Sequence, residues 1–299
     1  DLIHKDSLSI AGDGTPVVTS HRERKKRICK CKEEGITDCK CNRYFSQPDC
    51  DIGWDSSRDC FYHGYDLYML VDSQSDLPVF PHFSCASKHD SHGFLHAFFR
   101  MRAFLPEYKV SKIILDSAHD AMPYYQYFKR ENITPFIDLN GKGGRPPVYK
   151  NDFTIDNDGV PICPAGCRMH RDGIEAAKGR MKFKCPKMCR KNGCISCTCE
   201  TPCSDAKYGR TVHLVLNDNP RLFNNPPRSS EEWKKEYNAR TSVERSNKRE
   251  KIDFKLESGR HRSTKMWYCR LYHILMLQHL DAWDMPNESA LGKLIQRTA

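Results

Sequence analysis

Apolar positions along the chain fall into short alternating runs divided by turn residues, and helical stripes lengthen only towards the C-terminus. Leu8 and Ile10 alternate with polar neighbours in residues 7–12, which predicts a first strand closing on Asp13-Gly14-Thr15. Residues 16–60 are polar, basic and cysteine-bearing, a long excursion from any core. Phe61 to Val71 predicts a strand, residues 72–76 a turn, and Leu77 to Ser84 a returning strand, so this stretch is a hairpin. Ser91 stands where a helix cap is needed, and Phe94, Leu95, Phe98, Phe99 and Phe104 form an apolar face that Pro106 ends. Lys112 to Leu115 is a short buried-type strand closing on Asp116. Asp120 is positioned to cap the next helix, with Pro123 in its first turn and Tyr124, Tyr127 and Phe128 inward. Thr134 to Ile137 predicts another strand.

From residue 140 the pattern changes. Gly141, Gly143 and Gly144, then Pro146-Pro147, mark a boundary, and Pro220, Pro226 and Pro227 close the segment they open. Helical composition resumes at Glu231, with Ser229 or Ser230 as the cap and two glutamates in the first turn. Residues 263–283 are apolar nearly all round, which predicts a buried helix. The order of elements predicts an α/β class, a mixed sheet with helices on its faces. Three parts follow: 1–139 and 231–299 make the core, and 140–230 is a Cys-rich insertion.

Composition narrows the function classes. No apolar run approaches the roughly 20 residues of a membrane span, and the chain opens Asp-Leu-Ile-His-Lys with neither an export signal nor an initiator Met. The expectation is a cytoplasmic protein with no membrane partner, the chain being a fragment or processed form. Net charge is +10, and the excess is local. Residues 240–270 hold ten Lys and Arg against four acids, and residues 22–32 hold seven against one. Either run suits a polyanion as well as it suits a solvated surface.

Of the 16 cysteines, eight lie between Cys163 and Cys203. The spacing of Cys185, Cys189, Cys194 and Cys197 lets short turns bring four thiolates onto one tetrahedral Zn²⁺, a structural site; the alternative is a set of free thiols in a reducing compartment. The pairs Cys29-Lys-Cys31 and Cys39-Lys-Cys41 favour free thiols, because a CxC pair strains a shared tetrahedron.

Asp13 and Asp116 both follow predicted strands, the position where open α/β sheets carry functional groups. Either alone reads equally well as a turn residue. The segment from Tyr237 to Lys251 changes the balance. At about 100° per residue, Tyr237, Arg240, Glu244 and Lys251 fall within a stripe roughly 60° wide. An ion pair between Arg240 and Glu244 would explain two of the four.

The pattern Tyr-x2-Arg-x3-Glu-x6-Lys resembles the YREK signature of DDE transposases of the insertion sequence four type. Asp13 in Ile-Ala-Gly-Asp-Gly-Thr is similar to that family's first catalytic Asp, and Asp116 in Ile-Ile-Leu-Asp-Ser-Ala-His-Asp to its second. The resemblance implies a ribonuclease-H-like catalytic fold with an insertion before the last catalytic helix. It implies Asp13, Asp116 and Glu244 as ligands of Mg²⁺ or Mn²⁺, and Tyr237, Arg240 and Lys251 as contacts to DNA phosphates. The implied partners are double-stranded DNA, at transposon ends and target, and a second copy of the chain in the DNA complex, in a prokaryotic nucleoid. An end-recognition domain would precede residue 1. Two rivals remain: a nuclease of the same fold that does not join strands, and a zinc-stabilised or inactive DNA-binding derivative.

Overall fold

The computed structural model describes residues 2–19, 30–31, 33–38, 49–140, 148–149, 152–156, 158–191 and 194–284. The chain divides into two compact units, Asp1–Leu115 with Ala239–Ala299, and Asp116–Asn238. In chain order the elements are β1 (Leu8–Val18), β2 (Asp51–Asp55), β3 (Cys60–Asp72), β4 (Pro78–Cys85), α1 (Asp90–Phe104), β5 (Val110–Leu115), α2 (Met122–Arg130) and β6 (Thr134–Ile137). Short strands follow: β7 (Val148–Tyr149), β8 (Phe153–Ile155), β9 (Pro161–Ile162), β10 (His170–Glu175), β11 (Arg180–Lys184), β12 (Met188–Lys191), β13 (Cys194–Cys197) and β14 (Thr211–Val215). The last helices are α3 (Glu231–Asn238), α4 (Thr241–Lys248) and α5 (Thr264–Asp284).

The first unit is a mixed sheet with helices on both faces, the ribonuclease-H-like class expected. β1 runs antiparallel to β3 from Ile10 opposite Asp72 to Val18 opposite Gly64, and parallel to β5 from Leu8 to Ala11. The other edge of β3 is shared end to end by β2, at residues 60–64, and β4, at residues 65–71. Tyr65 to Val71 are all buried, as a strand covered on both faces requires. Successive side chains alternate faces. Tyr68 packs edge-on against Phe94 of α1, whereas Tyr65 meets Phe83 of β4 and Trp267 of α5.

Several local expectations are corrected. β1 does not turn at Asp13 but continues to Val18, because β3 is long enough to pair with it throughout. His89, not Ser91, caps α1: its Nδ1 lies 3.2 Å from the Ser91 amide. Only part of the expected α1 face is inside; Phe94 and Phe98 are buried, but Leu95, Phe99 and Phe104 are exposed. α5 likewise buries Trp267, Leu271, Ile274 and Leu275 and exposes Met276, Leu277, Leu280 and Trp283. The stretch carrying Tyr237 to Lys251 is not one helix: α3 ends at Asn238, α4 begins at Thr241, and residues 249–253 wind as a single π turn.

In the second unit the strands are short and antiparallel, in the orders β7-β8-β9, β10-β11-β14 and β12-β13. Phe153, Ile155, Met181, Phe183, Val212, Leu214 and Phe223 form their core, with Cys163 inside it. Ser230 caps α3, its Oγ accepting from the Trp233 amide at 3.2 Å. Asp120 does not cap α2, whose cap position is Ala121. It instead accepts from Arg221 at 2.7 and 2.9 Å and from the Asn140 amide and Tyr125 hydroxyl. No helix among the described residues is long and apolar enough to cross a membrane.

The π turn carries a fully buried acid. Glu250 Oε1 accepts from Ser246 at 3.1 Å, and Gln278 lies beside the carboxyl. Burial pushes its carboxyl from the ordinary 4.5 up to about 8. The unfolded chain therefore releases this proton near 4.5 and the fold keeps it until about 8, so stability contributed below that window is lost as pH rises through it. Glu250→Gln, which is neutral throughout, should flatten the fall in Tm between pH 5 and pH 8; thermal melts with an unchanged slope would contradict the buried neutral acid.

Candidate active site

Asp13 sits near the middle of β1, beyond the last residue that pairs with β5. Its Oδ1 accepts from the Gly14 amide at 3.1 Å, which fixes the carboxylate and leaves Oδ2 for another partner. That partner comes from the start of α4. Val243, Ser242, Ser246 and Asn247 bury one side of this helix in the first unit, where it packs on β1 and β3. Arg240, at its cap position, and Glu244, in its first turn, are directed elsewhere. Arg240 Nη1 lies 3.5 Å from Asp13 Oδ2, and Nη2 pairs with Glu244 Oε1. One guanidinium thus bridges two carboxylates drawn from a strand and a helix.

Lys251, on the π turn, donates to the Pro16 carbonyl at 2.7 Å and lies 3.4 Å from Glu257 Oε1. The same Glu257 oxygen accepts from the Val18 amide at 3.0 Å. Lysine and glutamate together hold the far half of β1, three to five residues beyond Asp13. The basic run around them is partly internal as well: Arg245 grips Asp76 through two bonds of 2.7 Å, and Arg270 donates to the carbonyls of Lys255 and Leu256.

Two further acids lie by Gly14. A Cβ there would come 2.7 Å from Asp90 Oδ1 and 3.2 Å from Asp66 Oδ1. Asp66 is buried, and desolvation first, then Asp90, then Asp13, push its carboxyl up to about 8. The sequence reading missed both; the available signal was one charged residue inside the apolar run of β3.

The second unit opens with Asp116, the residue that directly follows β5. Its Oδ1 accepts from the Ala118 amide at 3.2 Å and lies 2.6 Å from Nδ1 of His119, a ring with no exposed surface. Tyr237 belongs to this unit too, near the end of α3, its ring stacked on Trp233 with centroids 4.6 Å apart.

Among the described residues, no three His, Cys, Asp or Glu are placed to hold a metal ion. The donor chemistry of Asp13 and Glu244 nevertheless suits a hard divalent cation: both offer carboxylate oxygens, and both already converge on one positive group. Of the expected zinc ligands, Cys185 is buried, and the side chains of Cys189, Cys194 and Cys197 lie outside the described residues. Cys29, Cys39 and Cys41 lie outside them as well. Cys203 packs beside Cys163; burial, then Cys163, raise its thiol, and Cys185 adds to this.

No curated protein and no solved structure matches the chain. A family model does, and it spans the sheet, α4 and most of α5: the chain belongs to the transposase DDE domain family, whose model matches residues 10–278.

Proposed function

We propose that this protein cleaves DNA at the ends of an insertion sequence and joins the freed ends to a target, using Asp13, Asp116 and Glu244 as its metal-holding carboxylates. The observation that carries the reading is the sharing of one guanidinium by Asp13 and Glu244. Asp116 is proposed with them on the resemblance of its motif; it directly follows β5, the strand parallel to β1. Transposases of the DDE family use divalent metals. A bound Mg²⁺ or Mn²⁺ would activate the attacking oxygen and neutralise the leaving one.

The chain's own residues prepare both steps. In cleavage a water oxygen bonds to phosphorus, the bond from phosphorus to the 3′ oxygen breaks, and a 3′-OH remains on the element. In joining, that oxygen attacks a target phosphate, loses its proton, and displaces the target's own 3′ oxygen. Asp13 is held for this by its bond to the Gly14 amide, and the register of β1 by Lys251 and Glu257. Tyr237, Arg240 and Lys251 are the proposed contacts to end phosphates, with two copies of the chain acting on two ends.

Asp13→Asn, Asp116→Asn and Glu244→Gln should each abolish Mg²⁺-dependent cleavage of end DNA, by a thousandfold or on that order, with binding to DNA nearly intact. Near-normal cleavage by any one variant would remove that residue from the triad. Cleavage by the wild type without joining of a labelled end would mark a nuclease.

The phosphate contacts have their own signature. Arg240→Ala should flatten the dependence of DNA affinity on salt by about one unit of log–log slope. Lys251→Ala should do the same and also lower Tm, since its ammonium bonds the Pro16 carbonyl. An unchanged slope in both would leave these cations a purely structural task.

A structural zinc in the Cys-rich segment completes the proposal, supported by the spacing of Cys185, Cys189, Cys194 and Cys197. Protein purified under reduction should carry at least one zinc by elemental analysis, and Cys185→Ser should lower that content. A folded, zinc-free protein would favour free thiols.

A further inference from the structure

We infer that Arg240 is the resting counter-cation of the active site, and that a divalent metal and this guanidinium exclude one another. The inference rests on the reading of Asp13 and Glu244 as metal carboxylates. A planar guanidinium offers two terminal nitrogens at fixed spacing, and here they take Asp13 Oδ2 and Glu244 Oε1. The other Asp13 oxygen is held by the Gly14 amide, so a metal would compete with the guanidinium for Asp13 Oδ2. Both cannot be served at once.

The surroundings make the cation necessary. Asp13 stands beside Gly14, over which Asp66 and Asp90 lie, so acids crowd this part of β1. Lys251 is turned to the Pro16 carbonyl and Glu257 instead. Without metal, Asp13 and Glu244 are like charges on neighbouring elements, and Arg240 offsets their repulsion. With metal, the guanidinium is released at the start of α4. A released Arg there is able to take a phosphate, so metal loading and DNA binding become coupled sites.

Mn²⁺ is the probe. Its free-ion paramagnetic resonance signal, lost on binding, is titrated with the whole chain in the absence of DNA. Arg240→Gln should bind Mn²⁺ about tenfold more tightly than the wild type, within the usual range for coupled sites. Its Tm should be lower without metal and rise more than the wild type's when Mn²⁺ saturates. Arg240→Lys should fall between, because an ammonium reaches one carboxylate where the fork reaches two. Mn²⁺ should also strengthen the wild type's binding to end DNA more than it strengthens that of Arg240→Gln. Unchanged or weaker Mn²⁺ binding in both Arg240 variants would overturn the exclusion. Asp13→Asn and Glu244→Gln separate the two levels. If both weaken Mn²⁺ binding while the Arg240 variants do not tighten it, the exclusion alone fails. If neither weakens it, the carboxylate reading itself fails.

Discussion

Two carboxylates brought near one another repel, and in the first unit one guanidinium offsets that repulsion. Asp13 comes from a strand and Glu244 from a helix more than two hundred residues later, and a single guanidinium keeps them together. At about 4 Å, two unit charges interact by roughly 1 kcal/mol in water and several times more near a protein surface. With three-quarters of Asp13 and Arg240 shielded from solvent, the pairing lies above the exposed-surface case. The pairing adds to the packing of α4 on β1 and β3, where Ser242, Val243, Ser246 and Asn247 are buried.

The strand itself needs a rigid frame. Leu8, Ile10 and Ala11 are fully buried between β3 and β5, which fixes β1 up to Asp13. Beyond Asp13, among the described residues, β3 is the ladder partner that remains, and the pairing with β5 has ended. Lys251 and Glu257 supply hydrogen bonds to Pro16 and Val18 there, from a segment that only the π turn and the short helical turn at residues 256–258 bring within reach. The close approach at Gly14 belongs to the same design, since any side chain there would strike Asp90.

Much of this frame was legible in the sequence. The hairpin of β3 and β4 and the strands β5 and β6 follow from alternation and from turn residues, which are local properties. What escaped reading depends on contacts made at a distance. Asp13 looked like a turn residue because Asp-Gly-Thr favours turns, yet pairing with β3 overrides that preference. The break between α3 and α4 has no Gly or Pro to announce it; Asn238, Ala239 and Arg240 are all compatible with a continuous helix. The outward side of α5 could not be told from its inward side, because Met, Leu and Trp occupy both. Asp66 was hidden for the opposite reason: a lone acid in an apolar run gives no hint that burial keeps it beside Asp90.

The break and the π turn change what Tyr237, Arg240, Glu244 and Lys251 can share. An unbroken helix would set Tyr237, Arg240, Glu244 and Lys251 on one stripe and give them one task. Here Arg240 and Glu244 belong to one short helix, Tyr237 stacks on Trp233 in another, and Lys251 sits where the winding widens. The two cations therefore differ in what moving them would cost. Lys251 is 15% exposed, and turning it outward would leave the Pro16 carbonyl without its donor and loosen β1 close to Asp13. Arg240 is more exposed, lies at a helix end, and pairs with one carboxylate from β1 and one from its own helix. Of the two cations, Lys251 is thus the one built into the frame of β1, and Arg240 the one that ties strand to helix from the more exposed position.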